Sequence, residues 1–539
     1  MKSKAKTASV LREPALNKDT AFSEEERKSL KLEGLLPTCV DSLERQLERV
    51  RGQLDAKPND LERYVYLQAL CERNKTLFFA TLMSDPARFV PIVYDPTIAD
   101  ACLTYGALYR EPQGMYLNKH MKGRFAEILR NWPEPEVRFI CISSGGRILG
   151  LGDIGAHGAP IPIGKLQLYT ACAGVPPAGL LPIHFDIGTT NATLRADPLY
   201  PGLRSEPPGE RELDELVDEF MAAANEVFPG VCVHFEDWKG RDAIRYLARY
   251  QEQYLVYNDD IQGTASVVLA GLFTALHIKG ERLADQRYFF AGAGSAGIGI
   301  ANMLVEAMVQ DGLSQQDARA RISLFDINGL IQSERKDLNA AQQVFAHKAK
   351  PAQDIHQAVA RQRPTVLIGV STVGGLFTEE VVKELCTFTD QPIIFPLSNP
   401  TDRAECSAQQ AYDWTNGQAL FAAGVQFPEV EIDGKTLYPG QANNFYIFPA
   451  VGLALYATRP TRVTDAVFIA AARGTADQVS PRDRERGLLF PPQAQILETE
   501  ITTAVRVAEY LFDQGMATVK RPEDIRAWIE QLVYRPAYG

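Results

Sequence analysis

A chain of 539 residues, 45% hydrophobic and 23% charged, can bury at least two substantial cores, so two or more domains are expected. The formal net charge of -11 argues against a general nucleic-acid binder, which needs clustered Lys and Arg to displace the counterions of phosphate. Eight scattered cysteines with no C-x-x-C pair fit a reducing compartment, and no run of about 18 apolar residues offers a membrane span, so a cytoplasmic protein is expected.

The basic start MKSKAKTASVLR could imitate part of a transit peptide, but it reads more simply as a solvated arm. Val40, Leu43, Leu47, Val50 and Leu54 then recur at spacings of three and four, and LERYVYLQAL repeats the pattern, which predicts a helical N-terminal region over residues 1–88. FVPIVY (89–94) predicts a strand, with Asp95 as the cap and Pro96 as the first position of a following helix. Tyr94 is then expected at a strand end facing a helix start. VRFICIS (137–143), LLPIHFDIG (180–188) and VCVHFED (231–237) are three further strands of an α/β domain expected over residues 89–260. From Ile261 the strand-like RYFFAG, ARISLFD, TVLIGV, PIIFPLS and QALFAAG alternate with helical stretches, the rhythm of a doubly wound parallel sheet over 261–439. Residues 440–539 begin with the apolar ANNFYIFPAVGLALYA and end in a charged helical tail, expected to complete the first α/β domain.

The pattern G-x-G-x-x-G occurs twice, at Gly150, Gly152 and Gly155 and at Gly292, Gly294 and Gly297. A dinucleotide site needs a strand, a tight glycine turn that admits the pyrophosphate, and a helix whose positive end receives it. The second copy has RYFFA before it and IGIANMLVEAMVQDG after it. The first runs into Pro160 and Pro162, which argue against an immediate helix, so it reads as a glycine-rich active-site loop. Asp326 ends the next strand and is placed to accept hydrogen bonds from ribose hydroxyls. No arginine directly follows it, which favours NAD, while Arg335 and Lys336 keep NADP open.

Glu236 and Asp237 end one predicted strand, and Asp259 and Asp260 end another. Carboxylates gathered at strand ends repel one another unless a cation lies between them, and oxygen-only ligation suits Mg²⁺ or Mn²⁺ better than Zn²⁺. His234 shares a strand face with Glu236, and a supporting role suits it better than ligation. Lys165 is expected where a helix begins, and there the positive helix end would make a neutral, base-like amine accessible. On local grounds alone the acids could be solvated caps, Lys165 a surface charge and Tyr94 a buried aromatic.

VPIVYDPT, GGRILGLGDIGAHGAPIPIGKL, HFEDW, YNDDIQGTAS, FAGAGSAGIG, PLSNPT and GQANNFYIFP, taken in this order, resemble the malic enzyme family over nearly the whole chain. The resemblance implies oxidative decarboxylation of L-malate to pyruvate and CO2 with a nicotinamide cofactor and Mg²⁺ or Mn²⁺. It implies Lys165 as the base at the C2 hydroxyl, Tyr94 as the acid that protonates C3, and Asp259 as the partner that steadies Lys165. Glu236, Asp237 and Asp260 match the metal ligands, with Asp260 also near the cofactor. Arg147 matches a substrate and cofactor contact, and Asn399 with Asn443 or Asn444 matches the amides that orient substrate. A homodimer or homotetramer is implied as well. Some family members are activated by a dicarboxylate at a subunit interface, where Arg73 matches one arginine and Arg49 could be another; both also read as surface arginines. The alternatives are malolactic enzyme, which forms lactate and whose pattern tends to lack an arginine at the place of Arg147, and a catalytically silent nucleotide-binding scaffold.

Overall fold

The computed structural model describes residues 9–148 and 150–539, so most of the basic arm, and Leu149 within RILG, lie outside the described residues. The chain divides into two compact units. The first is Met1–Glu236 with Gln493–Leu497 and Glu530–Gly539, and the second is Asp237–Pro492 with Glu498–Ile529. The division falls after Glu236 rather than at residue 260, and the C-terminal segment contributes to both units.

In the first unit the expected helical region forms as Leu43–Asp55, Asp60–Cys71 and Lys75–Ser84. Each starts at a side-chain cap, Ser42, Asn59 or Asn74, that accepts a backbone N–H two or three residues into the helix. FVPIVY departs from expectation. It belongs to a helix, Pro86–Val93, capped by Asp85 with Pro86 in the first turn. The sequence contains Asp-Pro at 85–86, 95–96 and 197–198, and it is the first of these pairs that starts this helix. Pro96 instead occupies the cap position of the next helix, Thr97–Leu103, without a side-chain cap. A short, continuous apolar run has no period of its own, and burial decided it in favour of helix.

The sheet of this unit contains β1 (Met115–Asn118), β2 (Phe139–Ser143), β3 (Leu180–Asp186) and β4 (Cys232–Glu236), parallel, in the order β1-β3-β2-β4. Every residue of β2, β3 and β4 is buried, as expected of parallel strands covered on both faces. The helix Pro160–Ala173 packs against β2 and β3 and is buried along its whole length. Pro160 starts this helix, where a missing N–H costs nothing. The helix that the two prolines argued against therefore begins only after a 3-10 turn, Gly155–Gly158.

The second unit opens with β5 (Val256–Asn258), a π-helical turn (Asp259–Gly263) and the helix Thr264–Lys279. By length and composition Asp259–Lys279 could cross a membrane, although polar residues interrupt its apolar run; 72% of its most apolar window is buried, the position of a core helix. The doubly wound sheet follows: β6 (Tyr288–Ala291), β7 (Ile322–Asp326), β8 (Gly329–Leu330), β9 (Val366–Gly369), β10 (Ile393–Pro396) and β11 (Leu420–Ala423). A hairpin, β12 (Val430–Ile432) with β13 (Lys435–Leu437), stands apart, and β14 (Gly440–Gln441) closes one edge. The order is β14-β11-β10-β9-β6-β7-β8, parallel except for β8. From β6 the chain moves one way to β7 and then returns to β9 on the other side. That reversal opens a crevice at the carboxyl ends of β6 and β9, where such sheets bind ligands.

Candidate active site

Three of the expected residues meet inside the first unit. Lys165 Nζ lies 2.8 Å from Glu236 Oε1 and donates to the Tyr94 hydroxyl at 3.0 Å, and Tyr94 Oη is 3.4 Å from the same carboxylate oxygen. All three side chains are buried, Lys165 to 2% exposure. Tyr94 reaches this point from the C-terminal end of the helix Pro86–Val93, and Glu236 from the carboxyl end of β4. Gly164 makes room for them: a Cβ there would lie 3.1 Å from the Val93 carbonyl oxygen and 3.2 Å from the Tyr94 ring.

The surroundings of Lys165 differ from expectation. Its helix begins at Pro160, so Lys165 sits more than a turn inside, and its close partner is a carboxylate rather than the positive helix end. Burial pushes the Glu236 carboxyl up, but the Lys165 ammonium and the bond to His234 outweigh it and hold the group below its ordinary value. His234 Nε2 lies 2.8 Å from Glu236 Oε2, and Tyr169 Oη lies 2.9 Å from His234 Nδ1. Both carboxylate oxygens of Glu236 are therefore held. Tyr169 was not singled out in the sequence, although its spacing of four from Lys165 puts both on one helix face.

The second unit gathers the other acids. The Asp237 N–H donates to Asp260 Oδ2 at 2.8 Å, and Asp237 takes the left-handed conformation with φ 54°, which is uncommon for a non-glycine residue. Asp259 opens the π-helical turn, and its Oδ2 accepts the Asn444 amide at 2.8 Å. Gly263 is required by this packing, since a Cβ there would lie 1.8 Å from Asp259 Oδ1. Gly263→Ala is expected to cost about 1–3 kcal/mol, the usual range for overpacking, and the denaturant midpoint checks it. An unchanged midpoint would show that the turn relaxes freely.

The amides do different things. Asn444 turns inward onto Asp259, whereas the Asn443 side chain caps the backbone N–H of Phe445 at 3.2 Å. Asn399 is exposed just past β10, beside Gly424, at the carboxyl edge of the sheet. Arg147 is exposed in the loop after β2. Arg49 pairs with Asp41 at 2.6 Å, and Arg73 lies 4.0 Å from Asp19, so each already faces an acid.

The glycine turns separate as the sequence suggested. Gly292 adopts φ 117° between β6 and the helix Ser295–Gln310, and a Cβ on Gly297 would lie 2.4 Å from the Gly292 carbonyl oxygen. The other copy folds into a packed loop: Gly155 has φ 51°, and a Cβ there would lie 2.2 Å from the Tyr200 hydroxyl. Asp326 is more enclosed than expected of an open ribose acceptor. Arg335 donates to both of its oxygens, at 2.8 and 2.9 Å, and also to both oxygens of Asp337.

Two family models match in succession, "Malic enzyme, N-terminal domain" over residues 71–251 and "Malic enzyme, NAD binding domain" over 261–512. The NADP-dependent malic enzyme of Mus musculus is 44% identical over 98% of this chain and 93% of its own length. The chain belongs to the malic enzyme family. The human NADP-dependent malic enzyme is 42% identical over 98% of the chain and 93% of its own length. Among solved structures, the malic enzyme of Entamoeba histolytica superposes with a TM-score of 0.58 at 20% identity, covering 93% of this chain and 90% of that one; this likeness shows the fold. The reaction of the malic enzyme family is the oxidative decarboxylation of malate with NAD(P), and the second family model covers the Gly292 turn and not the Gly150 loop. The malolactic and scaffold alternatives gain no support from these relatives.

Proposed function

We propose that this malic enzyme oxidises L-malate at C2 with NAD in preference to NADP, with Lys165 as base, Tyr94 as acid and Glu236, Asp237 and Asp260 as ligands of a divalent metal. The donor set fits Mg²⁺ or Mn²⁺, because it consists of carboxylate oxygens alone and Asp237 is held in a strained conformation against Asp260. When bound, the metal supplies a Lewis acid that polarises the C2 oxygen.

The chain's own groups account for the proton movements. Lys165 takes the C2 hydroxyl proton as hydride leaves for the nicotinamide ring. After CO2 departs, Tyr94 gives its proton to C3, and Lys165, 3.0 Å away, returns a proton to the Tyr94 oxygen. Burial of both groups keeps bulk water from taking that proton. Asp259, steadied by Asn444, serves as the acidic partner of the base.

The preference for NAD rests on the charges around Asp326. Two carboxylates, Asp326 and Asp337, share the guanidinium of Arg335, so this arginine is already committed and is poorly placed to receive a 2′-phosphate. Ile327, almost fully exposed, offers only an apolar side chain there. The mouse and human relatives carry NADP in their names, so a direct comparison is the test. Incubated with malate and Mn²⁺, the protein is expected to form pyruvate and lasting reduced cofactor, with kcat/KM about tenfold or more higher for NAD. A preference for NADP would overturn the cofactor reading, and lactate without lasting NADH would overturn the reaction.

A further inference from the structure

Glu405 is fully buried at the carboxyl edge of the doubly wound sheet, and among the described residues it has no cationic partner. A carboxylate in such a place must be held by hydrogen bonds, and here they all come from two neighbouring loops. Oε1 accepts the Ser371 N–H at 2.8 Å, the Ser371 hydroxyl at 2.7 Å and the Ser398 hydroxyl at 2.6 Å. Oε2 accepts the Ser398 N–H at 3.4 Å, and the Ser398 oxygen in turn accepts the Thr372 N–H at 2.9 Å. One carboxylate thus ties the loop after β9 to the loop after β10.

Both loops border the dinucleotide crevice. A Cβ on Gly292 would lie 2.4 Å from the Val370 carbonyl oxygen and 3.0 Å from the Ser371 nitrogen, so the glycine turn rests directly on the β9 loop. The β10 loop carries Asn399, the residue after Ser398. The last residue of β9 is also shaped to this carboxylate: a Cβ on Gly369 would lie 2.4 Å from both Cδ and Oε2 of Glu405. Backbone bonds from Gly375 to Ala404 and from Phe377 to Glu405 bind the same two segments further along.

We propose that Glu405 is a positioning residue for the dinucleotide, its carboxylate fastening residues 370–372 and 398–399 beneath the glycine turn in the arrangement that receives the cofactor. This rests on the assignment of the Gly292 turn as the dinucleotide site. It touches no reacting atom and acts through Ser371 and Ser398.

The test is NADH binding by fluorescence titration of the full-length protein, without metal or malate and well below each variant's melting midpoint. Glu405→Ala is expected to raise the Kd about tenfold or more, because all four bonds are lost. Glu405→Gln, whose amide oxygen can accept the three bonds made at Oε1, is expected to restore most of the affinity. A role confined to stability would lower the melting midpoint of Glu405→Ala and leave the Kd of the folded protein unchanged, and that result would overturn the proposal. If Glu405→Ala does not fold, the double variant Ser371→Ala with Ser398→Ala decides by the same measure: weaker binding supports the proposal and unchanged binding overturns it. Wild-type protein that binds no NADH would instead refute the dinucleotide site itself.

Discussion

Lys165→Ala is expected to slow malate turnover by about two to four orders of magnitude, the range supplied by a positioned acid–base group, while NADH still binds. The substitution also leaves the buried Glu236 carboxylate with His234 and Tyr94 but without its ammonium partner at 2.8 Å. Breaking a buried pair on one side costs about 3–5 kcal/mol, so activity must be read where circular dichroism shows the variant folded. Unchanged turnover in folded protein would remove Lys165 from the mechanism. The pair also sets a sign for acid stability. Glu236 is held below its ordinary value in the fold, so its contribution is complete above the unfolded carboxyl range and is lost as pH falls through the folded value. Wild type should therefore show a steeper acid-side loss in denaturant midpoint than Lys165→Ala, in which the ammonium that lowers Glu236 is gone.

Glu236→Gln, and likewise Asp237→Asn or Asp260→Asn, is expected to abolish most of the metal affinity. Losing a group that merely supports a ligand costs about 10–100-fold, so losing a ligand itself should reach the upper end of that range or exceed it. Calorimetric titration with Mn²⁺ in the absence of malate reads this directly, and chelation of the wild-type enzyme should stop turnover reversibly. Mn²⁺ binding unaltered in all three variants would sink the ligand assignment. His234 provides a graded control: it holds Glu236 Oε2 from behind, so His234→Ala should weaken Mn²⁺ less than loss of Glu236 does.

Much of the dinucleotide half was legible before any coordinates. RYFFAG, ARISLFD, TVLIGV, PIIFPLS and QALFAAG each contain the strand expected of them, and the helix after Gly294 runs on as Ser295–Gln310. These segments carry their own signals: a fully buried strand of the right length, a glycine turn and an uninterrupted helical stretch. FVPIVY carried none of them, and the signal that could have corrected it was the earlier Asp85-Pro86 pair. Asp326 ends β7 as the pattern predicts, but its engagement by Arg335, nine residues on, follows the short return strand β8, which has no local signal of its own.

The sequence by itself determined the five main strands of the doubly wound sheet, the glycine turn that can meet a pyrophosphate with the helix after it, and which acids stand at strand ends. These follow from local periodicity and from backbone conformations that only certain residues tolerate. Tertiary structure alone decided what faces what: Lys165 against Glu236 rather than a helix end, both oxygens of Glu236 held, and Glu405 fastened under two loops. A side chain's chemistry depends on the charges and donors packed around it after burial, and those neighbours come from segments far away in the chain, where no local pattern records them.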